Sequence, residues 1–305
     1  MSQYKNQHLY NVLESHRMKH ISSKMATYLS KRDIIKEALR KKYGSKLVVT
    51  AINSGSYAKC TAINSNFDID ICQPFKRDSF GTLKEMADDV YDFFRKEFED
   101  KDLIEIKKQR VSTGLIFLID GETVPMDVTC GRELNLNSYQ EDKYLNLYVR
   151  PKGEREETYT QTNITKHIDS IKGKTKEREI IRLMKIWKKK HSPHVKSFLV
   201  ELLTLEAFEN MKEISTDQWS KLKFVLEFIQ NNIETIKLVD PSNSANVVSD
   251  TITPAEKKEL SQDMSNILSQ IGEKEERIKY YFPVNLQFFT ESSNKSAIIP
   301  TVHFG

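Results

Sequence analysis

The sequence predicts an α+β protein: a long N-terminal helix, then a mixed sheet backed by helices, then a mostly helical half. Three observations predict it. Ile21, Met25, Tyr28, Leu29, Ile35 and Leu39 fall near one stripe of 3.6-residue period within about 5–43. Residues 67–71 (FDIDI) and 123–129 (TVPMDVT) alternate between apolar and polar, the period of a half-buried strand. Beyond residue 176 the apolar residues return mostly at helical spacing.

The elements follow in order. Gly44 ends the first helix in the manner of a C′ glycine. A strand is expected at about 46–52, where Leu47-Val48-Val49-Thr50 is apolar and β-branched, and Gly55-Ser56 then turns the chain into a short helix. The strand bearing Asp68 and Asp70 comes next. A second amphipathic helix, about 81–99, lines up Leu83, Met86, Val90, Phe93, Phe94 and Phe98. Strands are expected at 103–110, 113–119 and 122–130, and Asp120-Gly121 is a strong hairpin signal between the last two. The polar stretch 140–176, with Pro151, Gly153 and Gly173, reads as a crossing segment with room for short helices. Four helices follow: one with Ile180, Leu183, Met184 and Trp187, one over about 196–210, one with Leu222, Val225, Leu226, Ile229, Ile233 and Ile236, and one with Leu260, Met264, Ile267, Leu268 and Ile271. A turn-rich loop, 240–246, separates the last two, and 282–305 reads as irregular or short-stranded.

The chemistry concentrates in 51–75. On a strand, Phe67, Ile69 and Ile71 face a core while Asp68 and Asp70 project together from the other side. Two carboxylates held so close repel strongly unless something compensates them, and a hard divalent cation such as Mg²⁺ does so. Asp127, opposite Val124, Met126 and Val128, offers a third carboxylate from a strand able to lie beside the first. The blander reading of Asp-x-Asp is a pair of solvated surface groups. The three acids in this order on alternating strands favour a two-metal phosphoryl-transfer site.

Composition sets the frame. The 305 residues suffice for one large or two medium domains, and 38% hydrophobic with 30% charged residues fits a globular protein. No apolar run reaches the roughly 18–20 residues of a membrane span. The N-terminal stretch lacks an apolar signal core, so a cytosolic location is expected. Cys60, Cys72 and Cys130 form no CxxC and no Cys/His cluster, which argues against a disulfide scaffold or a zinc site. Net charge is +4, from 47 basic and 43 acidic residues, which by itself says little about nucleic-acid binding. The lysines of 185–190 suit a triphosphate or RNA, and equally a solvated helix face.

The Gly-Ser turn, the Asp-x-Asp strand and the later Asp resemble the nucleotidyltransferase (polymerase β-like) superfamily. GSYAKCTAINSNFDIDI at 55–71 is closer still to the bacterial CD-NTases, relatives of cyclic GMP–AMP synthase and oligoadenylate synthase. RLMKIW at 182–187, KSFLVELLTLEAF at 196–208 and LVDPSNSANVVSD at 238–250 extend the resemblance from Asn53 to about Asp250. It implies a two-lobed fold: a spine helix over 1–45 packing on both lobes, a catalytic lobe over 46–165, and a mostly helical second lobe over 166–305. It also implies that Gly55 and Ser56 hold the β- and γ-phosphates, and that Lys185 and Ser197 grip the donor triphosphate. Phe198, next along, is a candidate base-stacking platform or a core residue. Ser197 is a triphosphate ligand or a helix cap, although Ser192-Pro193 is the better-formed start signal. Lys59 stands where an arginine would be unsurprising, and the zinc thumb of animal cyclic GMP–AMP synthase is absent, so no direct DNA sensing is expected.

The expected activity is condensation of NTPs, with ATP and GTP as candidate substrates, into a cyclic oligonucleotide second messenger, a cyclic dinucleotide being favoured. Pyrophosphate is released and Asp68, Asp70 and Asp127 hold two Mg²⁺ (or Mn²⁺) ions. The resemblance implies anti-phage (CBASS-type) signalling, a downstream effector activated by the product, and no membrane partner. Gly305 suits attachment by a ubiquitin-transfer-like partner. The alternatives are an RNA-terminal nucleotidyltransferase, a linear-oligonucleotide synthase and a non-catalytic nucleotide-binding protein of this fold. The modest charge and the missing RNA-binding module disfavour the first, and the three intact acids disfavour the last.

Overall fold

The computed structural model describes residues 3–99, 101–153 and 155–289. The chain opens with α1 (Gln3–Ser15) and α2 (Ser22–Tyr43), separated by Arg17 in extended conformation (φ −68°, ψ 139°) and one 3₁₀ turn. The expected N-terminal helical run is therefore present but divided. Each half serves a different core. Leu9, Val12 and Leu13 of α1 pack into the apolar cluster of the helical half, whereas Met25, Tyr28, Ile35, Leu39 and Tyr43 of α2 pack into that of the sheet. The carbonyls of Ser15 and Arg17, freed at the break, accept from the Asn64 side chain at 2.9 and 3.0 Å. Gly44 does end α2, but by tightening into a 3₁₀ turn (Gly44–Lys46) rather than through a left-handed residue.

The sheet is built from β1 (Ile52–Ser54), α3 (Gly55–Ala58), β2 (Ile69–Phe75), α4 (Leu83–Glu97), β3 (Leu103–Lys108), β4 (Ser112–Ile119), β5 (Glu122–Glu133), α5 (Tyr139–Asp142), β6 (Leu145–Val149), β7 (Thr158–Thr162) and α6 (Ile164–Asp169). Strand order is β1-β2-β5-β4-β3, with β6 pairing to the far end of β5 and β7 to β6. The β2–β5 pairing is parallel and the others antiparallel, so the sheet is mixed. Asp120 and Gly121 take φ of 50° and 78°, the two positive values that a type I′ hairpin requires. The strand expected at 46–52 shrinks to Ile52–Ser54, with Leu47 making a lone bridge to Phe75. The supposed crossing segment contains the β6–β7 hairpin, whose Leu145 and Leu147 close over Cys72 and Tyr139.

The helical half holds α7 (Thr175–His191), α8 (Ser197–Glu209), α9 (Gln218–Asn232), the hairpin β8 (Val239–Asp240) and β9 (Asn243–Val247), α10 (Pro254–Glu273) and α11 (Ile278–Tyr281). The loop expected at 240–246 is thus a small hairpin. The start of α8 lies at Ser197 itself, and Ser192 instead donates to Asp263 at 3.0 Å. α10 has the full capping box, Thr253 with Glu256, and Pro254 in its first turn. Gly305 lies outside the described residues.

Candidate active site

Parallel pairing of β2 with β5 is the step that builds the site. The register sets Asp70 opposite Asp127, and Ile69 and Ile71 opposite Met126 and Val128 in the core. Asp68 sits one residue before β2 and keeps the alternation, half-buried like Asp70, while Ile69 between them is 2% exposed. The carboxylates of Asp68, Asp70 and Asp127 bring their oxygens within 4.8 Å of one another, a set fit to hold a metal ion.

Gly55 makes the close approach possible. Its φ is +65°, and a Cβ there would lie 1.7 Å from Asp70 Oδ2. Only glycine both adopts that backbone and leaves room for the acid. β1 places it: Ser54 pairs with Asp70, so the next residue turns directly over the carboxylate.

The acids repel one another in a half-buried setting. Burial first, then the charges of Asp68 and Asp127, push Asp70 up to about 7, with Lys59 and Lys185 pulling the other way. Burial and the Asp68 charge push Asp127 up to about 6, against a hydrogen bond from Gln109 Nε2 at 2.9 Å. Burial raises Asp68 as well. Such a set is short of positive charge, and a divalent cation supplies it; the hard oxygen donors fit Mg²⁺ or Mn²⁺.

A cavity of about 530 Å³ opens beside Asp68 and Asp70, and Ser56, Lys185, Ser197 and Phe198 line it. The structure thus gathers these sequence-selected residues at one place, with Gly55 over Asp70. Lys185 reaches across from α7 and donates to the Thr61 hydroxyl and carbonyl at 2.9 and 3.2 Å. Burial lowers it to about 8. Ser197 is exposed and caps nothing, because Lys196 stands at the cap position. Phe198 is half-buried, packing against the helical core and presenting a ring to the cavity, so both of its expected roles are open to it.

Sequence reasoning missed several partners. Lys59 pairs with Glu201 at 2.7 Å across the two halves, with side chains only 12% and 2% exposed, and its ammonium lies 5.3 Å from the Phe198 ring centroid. His167 packs its ring 5.2 Å from Phe198 and binds Asp240 at 2.7 Å, which helps to hold that carboxyl low. Gln109, the donor to Asp127, accepts in turn from Ser112. Lys59–Glu201 and His167–Asp240 have no sequence signal, because their members lie 142 and 73 residues apart along the chain.

No protein-family profile matches the chain. It is similar to the CBASS oligonucleotide cyclase CdnC of Escherichia coli, 25% identical over 269 positions that cover 78% of this chain and 82% of that one. Among solved structures, that of E. coli MS115-1 CdnC with ATP superposes with a TM-score of 0.64 at 19% identity, over 82% of this chain and 86% of that one. The Bradyrhizobium diazoefficiens CD-NTase CdnG in complex with GTP gives 0.67 at 10% identity, over 92% and 96%. Among the described residues, no helix is long and apolar enough to cross a membrane.

Proposed function

We infer that this chain is a bacterial CD-NTase, a two-lobed nucleotidyltransferase that condenses NTPs into a cyclic oligonucleotide in CBASS-type signalling. The observation that carries the reading is the carboxylate triad bordering a lysine-lined cavity at the junction of the two halves. In this reading 1–45 is the spine, 46–165 the catalytic lobe and 166–305 the second lobe.

Asp68, Asp70 and Asp127 would hold the divalent cations, two Mg²⁺ or Mn²⁺ ions. When bound, these supply charge stabilisation for the attacking and leaving oxygens of in-line phosphoryl transfer. The donor triphosphate enters the cavity lined by Ser56, Lys185 and Ser197, where Lys185 trades its bonds to Thr61 for phosphate oxygens. Phe198 offers a face to the base. Asp127 stands by the acceptor ribose hydroxyl and helps to take its proton, as a carboxylate positioned beside that hydroxyl can. The acceptor oxygen then bonds to the α-phosphorus, the bond to the bridging oxygen breaks, and pyrophosphate leaves. A second round on the reoriented linear intermediate closes the ring. The product is proposed to act on a downstream effector.

The test is Asp68→Ala. Pyrophosphate release from NTPs should fall by at least about 10³-fold, with an unchanged circular dichroism spectrum, since losing the charge stabilisation of a metal site adds several kcal/mol to the barrier. Near-normal release would sink the metal-site assignment.

A further inference from the structure

We propose that the basic cavity next to Asp127 binds the 5′-triphosphate of the acceptor nucleotide. This rests on the synthase reading, in which two nucleotides meet at the triad and only the donor's phosphates have a place. The cavity measures about 1200 Å³ and lies between two turns of the sheet and the helical half. Its cations come from three segments: Arg110 in the β3–β4 turn, Lys152 and Arg155 in the β6–β7 turn, and Lys196 just before α8. Among the described residues these four have no acidic partner, whereas Lys84 and Lys108 of the same cavity are paired with Glu157 and Asp88 at 3.1 and 2.6 Å. Uncompensated cations converging on a concave surface call for a polyanion, and a triphosphate carries a comparable charge.

Gln109 connects this cavity to the chemistry. Gln109 lines the cavity, and its side-chain amide donates to Asp127 Oδ1 at 2.9 Å. The donor cavity instead opens on Asp68 and Asp70. The large cavity has none of the three acids in its lining and meets the triad through the Gln109–Asp127 hydrogen bond, so an acceptor whose hydroxyl lies at Asp127 can lay its 5′ chain along Gln109 towards Arg110. The cationic turns are also held in place beforehand. Arg150, 8% exposed, donates from Nη1 to the carbonyls of Gln109 and Ser112 at 3.0 Å each, and its backbone N–H donates to the Arg110 carbonyl at 2.7 Å. Arg150 therefore locks the two turns together, which lowers the ordering cost of binding.

The test replaces three cations at once, Arg110→Ala/Lys152→Ala/Arg155→Ala, all half-buried or exposed. A 2′,3′-dideoxy-NTP serves as donor only, and an α,β-methylene-NTP as acceptor only. The triple variant should raise the acceptor KM about tenfold or more, change the donor KM less than twofold, and leave a plain nucleoside acceptor unaffected. An unchanged acceptor KM overturns the proposal. A second arm needs no turnover: inorganic tripolyphosphate is titrated calorimetrically into metal-free Lys185→Ala protein, with and without the triple change. Binding should be lost with the triple change, and its persistence overturns the proposal. Loss of tripolyphosphate binding with an unmoved acceptor KM gives the cavity to another polyanion and overturns the acceptor assignment. A wild-type protein that joins no nucleotides refutes the synthase reading alone, and the tripolyphosphate arm still decides whether the cavity is a polyphosphate site.

Discussion

Replacing Asp70 with asparagine should stabilise the metal-free protein while abolishing its activity. The carboxyl rises from an ordinary 3.8 to about 7 in the fold, through burial and the charges of Asp68 and Asp127. Between these values the folded state binds more protons than the unfolded one, so stability falls as pH climbs from about 4 to 7. The loss is complete above that window. Three pH units at 1.36 kcal/mol each give about 4 kcal/mol, and relaxation of a coupled group brings this to roughly 2–4 kcal/mol. The asparagine of Asp70→Asn keeps the shape and lacks the charge. At about 2 °C per kcal/mol for a chain of this size, the variant should melt roughly 4–8 °C above wild type at pH 8 in EDTA, and by less at pH 5. Mn²⁺ should raise wild type at pH 8 and leave the variant nearly unmoved, because the cation removes the same repulsion. Differential scanning fluorimetry reads all three conditions for both proteins. A variant less stable than wild type at pH 8, or a gap independent of pH, would refute strained acids awaiting a cation.

Three further outcomes follow from particular contacts. Gly55→Ala forces a methyl to within 1.7 Å of Asp70 Oδ2 at a φ of +65°, so pyrophosphate release should drop by about 10²-fold or more and melting should fall; wild-type turnover would contradict the packing. Lys59→Met leaves Glu201 charged and buried without its partner and should cost about 3–5 kcal/mol in denaturant titrations, most of it regained in Lys59→Met/Glu201→Gln. Lys185, lowered to about 8 by burial, is cationic below that pH and neutral above it; NTP affinity should therefore weaken between pH 7 and 9, and calorimetry should find that slope flattened in Lys185→Met.

The legible part of this protein was its local periodicity. Alternation at 67–71 and 123–129 places Asp68, Asp70 and Asp127 away from the apolar faces of their strands, and Asp120-Gly121 signals a hairpin, whose type I′ geometry the structure supplies. The sequence could not state that β2 and β5 are parallel neighbours, although that pairing alone sets Asp70 opposite Asp127. The N-terminal helix read as continuous because its apolar stripe does not record that two cores share it; the break appears only where Asn64 satisfies the freed carbonyls. The hairpin β6–β7 escaped notice because Thr158–Thr162 is polar throughout, an edge strand with little to bury. Glu201 within an otherwise apolar α8 gave no clue that Lys59, 142 residues away, would neutralise it.

The most direct test supplies purified protein with Mg²⁺ or Mn²⁺ and all four NTPs, and reads phosphatase-resistant products by mass spectrometry. The expected result is a cyclic oligonucleotide mass that disappears in Asp68→Ala. A ladder built only on added RNA, or a cyclic product that persists in Asp68→Ala, would contradict a cyclising synthase working through this triad.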